Sequence, residues 1–552
     1  MNITVHTQDK LIPLILPEGS LVRDALESAA LPVRKILGVR TRSGVMELGD
    51  PLEADLVLSP LTLLDAEGRR IYERSLRFVM LMALDKLFPG KQVRIEHSVP
   101  GGLFVRLPEC ALSSLDVDHI EETMREIVSQ DLPFTATFWS QSEVTSHFAA
   151  LGQQDKLDLL RYRRSPVIRM YECGGFHEYF HGAMAPSTAW TPIFRLLLLG
   201  RGFVLLLPNE KHPDTPAAYT DSPRHLSVFT QSEKWCRILG VNNVSDLSRL
   251  QENHELREFI RVNEALHDQG LVDTARSIVD HRRHIVFVAG PSSSGKTTFA
   301  GRLALQLRVL GIRAHRISLD NYYLDRNLVP KEPDGTYDLE HIRMLDLELL
   351  RNQSVALLEG KQVSLPIFNF RTQRREEKGI PMQLSPSDIL IFEGIHALNP
   401  TLSEGIPEEE IYRIFVSDLT CLNLDDHNRI RTTDVRLLRR IVRDRQFRSV
   451  SPEETLAMWP SVRRGEERWI FPYQERADTI FNTALHYELP VLGHFARESL
   501  RAVPPEADGY LLALRLRKIL YYIPDIDEKI LEEIPPLSLL REFIGGCTID
   551  ET

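Results

Sequence analysis

The chain has 552 residues, 43% of them hydrophobic and 26% charged, a composition that favours a folded protein of about three or four domains over a disordered chain. Its formal net charge of −11 argues against a protein that coats polyanions generally and confines any nucleic-acid contact to a local patch. Five dispersed cysteines (Cys110, Cys173, Cys236, Cys421 and Cys547), with no CxxC pair, argue against a disulfide framework or a thiolate zinc site and fit a reducing cytoplasm.

In chain order, "MNITVHTQDKLIPLIL" alternates polar and apolar residues as a strand does, unlike a secretory leader. With the PEG turn, the short helix "VRDALESA" and strands near Gly38 and Leu56, residues 1–62 read as a β-grasp-like unit. Residues 63–215 read as a second, α+β unit. In it the helix "YERSLRFVMLMALDKLF" stops at Pro89 and Gly90, and "GGLFVRLP" follows as a strand. The apolar run "FRLLLLGRGFVLLLP" is broken by Gly200, Arg201 and Gly202, well short of the roughly 20 residues a membrane span needs. The expectation is a soluble cytoplasmic protein with no membrane partner. Residues 216–280 have helical periodicity and read as a connector. Over 281–500, strands near 285–289, 314–319, 389–393 and 412–416 alternate with helices, which predicts an α/β domain with a parallel sheet covered on both faces. Residues 501–552 read as a helical tail without evident chemistry.

The stretch "HIVFVAGPSSSGKTTFAGRLALQLRVLG" places a complete P-loop pattern between a strand and a helix that stops at Gly311. Glycines Gly290 and Gly295 let backbone amides approach phosphates. Ser292, Ser293, Ser294 and Thr298 complete the loop and first turn, Lys296 reaches the terminal phosphates, and the Thr297 hydroxyl holds magnesium. ATP and Mg2+ are the implied cofactors. A parallel sheet presents ligands at the carboxyl ends of its strands, where "RISLD" ends at Asp320 and "DILIFEG" at Glu393. One acid can accept a proton from an acceptor hydroxyl and the other can support the metal, Asp320 being the choice for base and Glu393 for metal. In "RIRTTDVRLLRRIVRDRQFR", Arg436, Arg440 and Arg443 share a helical face suited to a lid over phosphates, while Val435, Leu438 and Val442 face elsewhere.

Taken together, "GPSSSGKTT", "ISLDNYY", "YDLEHIRMLD", "LPIFNFRTQRR", "ILIFEGIHAL" and "RRIVRDRQFR" resemble the uridine/cytidine kinase branch of the phosphoribulokinase-like P-loop kinases, over residues 283–495. The resemblance implies phosphoryl transfer from ATP to a nucleoside. It supports Asp320 as the base, with Lys296 and Arg443 as further catalytic residues. It makes Tyr323 a nucleoside contact, puts Glu340 and Arg440 near the ribose, and puts Arg443 and Arg448 near the ATP phosphates. Phe368 and Gln373 stand where uridine kinases carry the tyrosine and histidine that read the pyrimidine, and Val450 replaces a helping arginine. The kinase reaction is therefore implied more firmly than uridine as its acceptor, since losing a base-reading donor changes discrimination by orders of magnitude.

The front half resembles the amino-terminal part of threonyl-tRNA synthetases, a TGS module followed by their second additional domain, through "DKLFPG", "REIVSQDLPF" and "APSTAW". Arg74, Phe78, Phe180 and Met184 occupy the positions of that domain's metal-binding histidines and cysteine. This implies a scaffold for binding or regulation, with metal and editing chemistry lost. Cys173, His177 and His181 suggest a metal site by spacing but lack a fourth ligand, and read as packing. The whole arrangement resembles bacterial TGS-containing nucleoside kinases. Two other readings stay open: an RNA- or ribosome-associated nucleotide switch with tRNA or other RNA bound by the front half, and a kinase for a non-nucleoside hydroxyl. No NKxD motif supports a guanine-reading switch. A homo-oligomer is also left open.

Overall fold

The computed structural model describes residues 1–7, 10–163, 166–325, 341–369, 372–420 and 422–549. Near the amino terminus, strand Asn2–His6 buries Ile3 and Val5 and leaves the intervening Thr4 partly exposed, the period-two pattern of a half-buried strand. It pairs antiparallel with Leu11–Ile15 and parallel with Leu56–Leu61, and Gly38–Arg40 and Val45–Met46 complete a five-stranded sheet. The helix Ala66–Leu87 follows and is buried along most of its length. Beyond it lie a four-stranded antiparallel sheet containing Arg94–Val99, Gly102–Arg106, Arg195–Leu199 and Gly202–Leu206, and a three-stranded one built on Val167–Cys173. Ile3 and Leu58 of the first sheet, Ile71 and Leu76 of the long helix and Phe203 of the second unit all belong to one apolar core.

The carboxyl-terminal half is a P-loop kinase-like α/β fold. The five strands of its main sheet are all parallel, in the order Ala314–Ser318, Ile389–Glu393, Ile285–Ala289, Ile411–Ser417, Thr479–Asn482. Strands Ile285–Ala289 and Ile411–Ser417 are buried at every position, as expected of strands covered on both faces. Val286, Val288, Ile391 and Ile414 supply one face, and Ile285, Phe287, Leu390 and Phe392 the other. The helix Leu256–Asp280, in the segment read as a connector, inserts Leu271, Ala275 and Ile278 into the first of these cores, as do Leu539 and Phe543 of the tail. No helix among the described residues is long and apolar enough to cross a membrane.

The two halves meet at the segment Asn423–Arg431. Asp426 O accepts from Ile95 N at 2.9 Å, Asn423 Nδ2 donates to Ile95 O at 3.0 Å, and Arg77 Nη1 donates to His427 O at 3.0 Å. At the centre of the contact, Lys156 Nζ lies 2.8 Å from Glu178 Oε2 and 2.7 Å from His427 Nδ1, and Tyr179 donates its hydroxyl to Asp425 Oδ2 at 2.6 Å. Burial alone would raise the Glu178 pKa, but Lys156 and His427 outweigh it and hold the carboxyl at about 2.

Breaking such a buried pair from one side leaves an uncompensated charge, at a cost of about 3 kcal/mol or more. Glu178→Gln should therefore lower the urea midpoint by a corresponding amount, and an unchanged midpoint would mean that the pair does not join the halves. In the unfolded chain this carboxyl titrates near 4.5. Its contribution should be complete above that pH and be lost as pH falls toward 2.

Candidate active site

The phosphate cradle is the turn between strand Ile285–Ala289 and helix Lys296–Val309. Glycine is required at Gly290, where a Cβ would lie 2.1 Å from the Val416 carbonyl oxygen of the next strand. Ser293 (φ 59°) and Gly295 (φ 85°) are left-handed and turn the loop tightly. The loop carbonyls are taken up by surrounding donors. Pro291 O accepts from Lys296 Nζ at 3.3 Å, Ser292 O from Arg436 Nε at 2.9 Å, Ser293 O from Arg439 Nη1 at 3.5 Å and Ser294 O from Thr483 Oγ1 at 2.7 Å. The amides of Gly295, Lys296 and Thr297 at the helix start remain for phosphate oxygens. The Ser293 and Ser294 hydroxyls are buried without a hydrogen-bond partner.

Parallel register sets Glu393 opposite both Val288 and Ser318, so Glu393 and Asp320 arrive together at the carboxyl edge of the sheet beside the cradle. Both acids and Lys296 lie deep in the fold while keeping some surface open to the site. Burial raises the Glu393 pKa to about 7, with repulsion from Asp320 adding to it and Lys296 opposing. Burial likewise raises Asp320 against Lys296 and Arg448, and lowers Lys296 against Glu393, Glu542 and Asp320. Closely packed groups with pKa values driven toward neutrality suit proton transfer and a bound cation. The Thr297 hydroxyl and Glu393 supply hard oxygen donors of the kind magnesium takes.

The arginine helix, Thr432–Phe447, crosses above the loop. Arg440 donates to Ser292 Oγ at 2.8 Å, which sets it at the phosphate end of the site. Arg443 and Arg448 are tethered to the buried Asp444 at 2.8 and 3.7 Å, and their charges act on Lys296 and Asp320 respectively. Arg436 differs from the lid role its helical spacing suggests. It is buried and ion-paired to Glu466, which compensates the desolvated guanidinium, and it anchors the loop through the Ser292 carbonyl. On the acceptor side, the Tyr323 and Phe368 rings lie 5.6 Å apart at 59°, and Phe368 N donates to Asn321 Oδ1. Gln373 sits in the adjoining turn at φ 57°, its amide bonded to Asn369 O at 2.7 Å. Glu340 lies outside the described residues.

Three site residues escaped sequence reasoning. Arg375 binds the carbonyls of Tyr322 and Tyr323 and the Asp346 carboxylate, each within 3.0 Å, and so fixes the acceptor wall. It could have been singled out from its place in "NFRTQRR". Glu466 accepts from Ser292 N at 3.1 Å, and Glu542 of the tail accepts from Thr298 N at 3.2 Å and Thr298 Oγ1 at 2.8 Å. Neither acid carries a local signal. In the front half, Phe78 packs against Phe134, Phe176 and Phe180, Arg74 donates to Ala183 O and Met184 lies beside Ser75, so these positions are occupied by packing. His181 is half-buried between Tyr179 and Tyr522, and desolvation lowers its pKa to about 4.

The parallel sheet, the cradle and the paired acids define a P-loop kinase. The model of the phosphoribulokinase/uridine kinase family matches residues 285–488. The uridine kinase of Halobacterium salinarum is 32% identical over 195 residues, covering 35% of this chain and 77% of that protein. The uridine kinase of Ureaplasma urealyticum is 28% identical over 178 residues, covering 32% of this chain and 77% of that protein. The chain belongs to the phosphoribulokinase/uridine kinase family. Its amino-terminal part is similar to threonine–tRNA ligases. That of Desulforamulus reducens is 26% identical over 204 residues, covering 35% of this chain and 32% of the ligase. The chain spans about a third of the length of the ligases it matches.

Glu542 places a carboxylate on an amide that the phosphate cradle would otherwise offer to a nucleotide. Glu542→Gln keeps the shape and removes the charge, and should tighten ATP binding by about tenfold, the scale of one hydrogen bond to a charged group. Weaker ATP binding in a titration of this variant would instead make the tail part of the nucleotide site.

Proposed function

We propose that the protein is an ATP-dependent nucleoside kinase that transfers the γ-phosphoryl group of ATP to the 5′-hydroxyl of a nucleoside. The observation that carries this reading is the meeting of Asp320, Glu393 and Lys296 at one end of the parallel sheet, directly beside the phosphate cradle. Asp320 accepts the proton of the acceptor hydroxyl. The hydroxyl oxygen forms a bond to the γ-phosphorus as the bond from that phosphorus to the bridging oxygen breaks, and ADP departs with its electron pair. Lys296, the loop amides and Arg443 and Arg448 neutralise and align the phosphates. A magnesium ion held by Thr297 and Glu393 would supply further charge neutralisation.

The aromatic corner of Tyr323 and Phe368 supports a planar acceptor, with Gln373 offering an amide to a base edge. Its amide can both donate and accept, so a nucleoside is still the acceptor this site favours. Residues 1–62 are proposed as a TGS β-grasp module, 63–215 as a synthetase-like scaffold, 216–280 as a helical connector, 281–500 as the kinase and 501–552 as a tail that closes on it.

The test is ADP release, with product mass, across ribo- and deoxyribonucleosides in ATP and magnesium, with Lys296→Ala as the blank. Formation of a nucleoside monophosphate is expected with at least one nucleoside. Silence across the panel with ATP still bound would transfer the reading to a non-nucleoside hydroxyl acceptor.

A further inference from the structure

A cleft of about 1880 Å³ opens where the first sheet, the long helix Ala66–Leu87, the helix Pro452–Trp469 and the tail helix Tyr510–Leu520 converge. It lies apart from the phosphate cradle, none of whose residues lines it. Its charge is opposite to that of the chain: ten arginine and lysine side chains line it against seven carboxylates, in a protein of net charge −11. Half of these cations, including Arg429, Arg431 and Arg463, come from the kinase half and tail, so neither half contains the site alone.

The carboxylates at its base are already committed. Glu73 pairs with Arg431 at 2.6 Å, Glu67 with Arg70 and with Arg515 at 3.6 Å, and Asp434 behind the wall takes Arg515 at 2.5 Å. Arg429, in the same wall, keeps Nε and Nη1 buried with no hydrogen-bond partner. Burial and the adjacent Arg431 lower its pKa to about 10, against the opposing pull of Glu73 and Asp434. A guanidinium in that condition is stabilised by an incoming anion, and its planar fork suits phosphate oxygens. The volume exceeds the roughly 300–1,000 Å³ usual for small-ligand pockets, and the cations reach from Arg42, in the turn after strand Gly38–Arg40, past the group of Arg70, Arg429, Arg431 and Arg515 to Arg463 on the kinase helix. Cations distributed over so large a cleft match a repeating phosphodiester rather than a single anion. Tyr510, half-buried in the wall, offers a ring on which a base can stack.

We propose that this composite cleft binds a segment of single-stranded RNA through its phosphodiester backbone. The cleft also touches the kinase machinery: Arg463 donates to Glu466 Oε2 at 2.9 Å, and Glu466 Oε1 holds the Ser292 amide of the phosphate cradle.

The test is fluorescence anisotropy of a labelled ten-nucleotide single-stranded RNA with the full-length protein at low salt, in wild type, Lys296→Ala, Arg429→Gln and Arg42→Glu. Arg42 is 78% exposed, so its variant alters the cleft without a packing cost. Wild type and Lys296→Ala should bind alike, which separates this site from the nucleotide site and from the kinase reading. Each cleft variant should weaken binding at least about fivefold and lower the salt slope by about one. No binding at low salt, or binding untouched by both cleft variants, would overturn the proposal. Competition by a mononucleotide as effective as by the ten-mer at equal phosphate concentration would overturn it in favour of a small-molecule site.

Discussion

Burial of charge beneath the phosphate cradle is the constraint on which the rest of the kinase half depends. Lys296, Asp320 and Glu393 are brought together by sheet register, and desolvation moves the pKa of each toward neutrality. Such a cluster is costly to maintain in an empty fold and becomes favourable when phosphates and a cation enter. The cost of keeping it buried and its proposed use in catalysis have the same cause.

Much of the surrounding structure serves to hold that cluster and its loop in place. Arg436 and Arg439 are buried against the loop carbonyls, and Glu466, Glu488 and Asp418 compensate them. Asp444 gathers Arg440, Arg443 and Arg448. The tail packs Leu539 against Gly295, where a Cβ would lie 2.3 Å from its Cδ2. At its amino-terminal end the arginine helix adjoins Arg431, which reaches Glu73 in the front half. The front half is thus joined to the same helix that lies over the phosphate site, through the Lys156–Glu178–His427 contact and its neighbours.

The cradle was legible because it is local. A strand, a glycine-bounded turn and a helix start occupy one short stretch, and each residue type has a steric or electrostatic reason there. Asp320 and Glu393 were also legible, because strand ends in a parallel sheet converge by topology. Glu466 and Glu542 were not. Each meets the loop from more than 170 positions away in sequence, and an isolated acid on an amphipathic helix looks like solvated surface. The fifth strand, Thr479–Asn482, was missed because it has only four residues and follows a turn-rich stretch. Arg436 misled by periodicity: helical spacing reports a shared face, and what that face meets is decided by tertiary partners.

The central claim is that Asp320 performs proton transfer at a site otherwise intact for ATP. It is tested most directly by measuring turnover and ATP affinity together in Asp320→Asn. The account predicts a loss of turnover of at least about a hundredfold, the low end of general-base contributions, with ATP binding retained. Turnover within threefold of the unaltered protein would contradict it and remove Asp320 from the reaction.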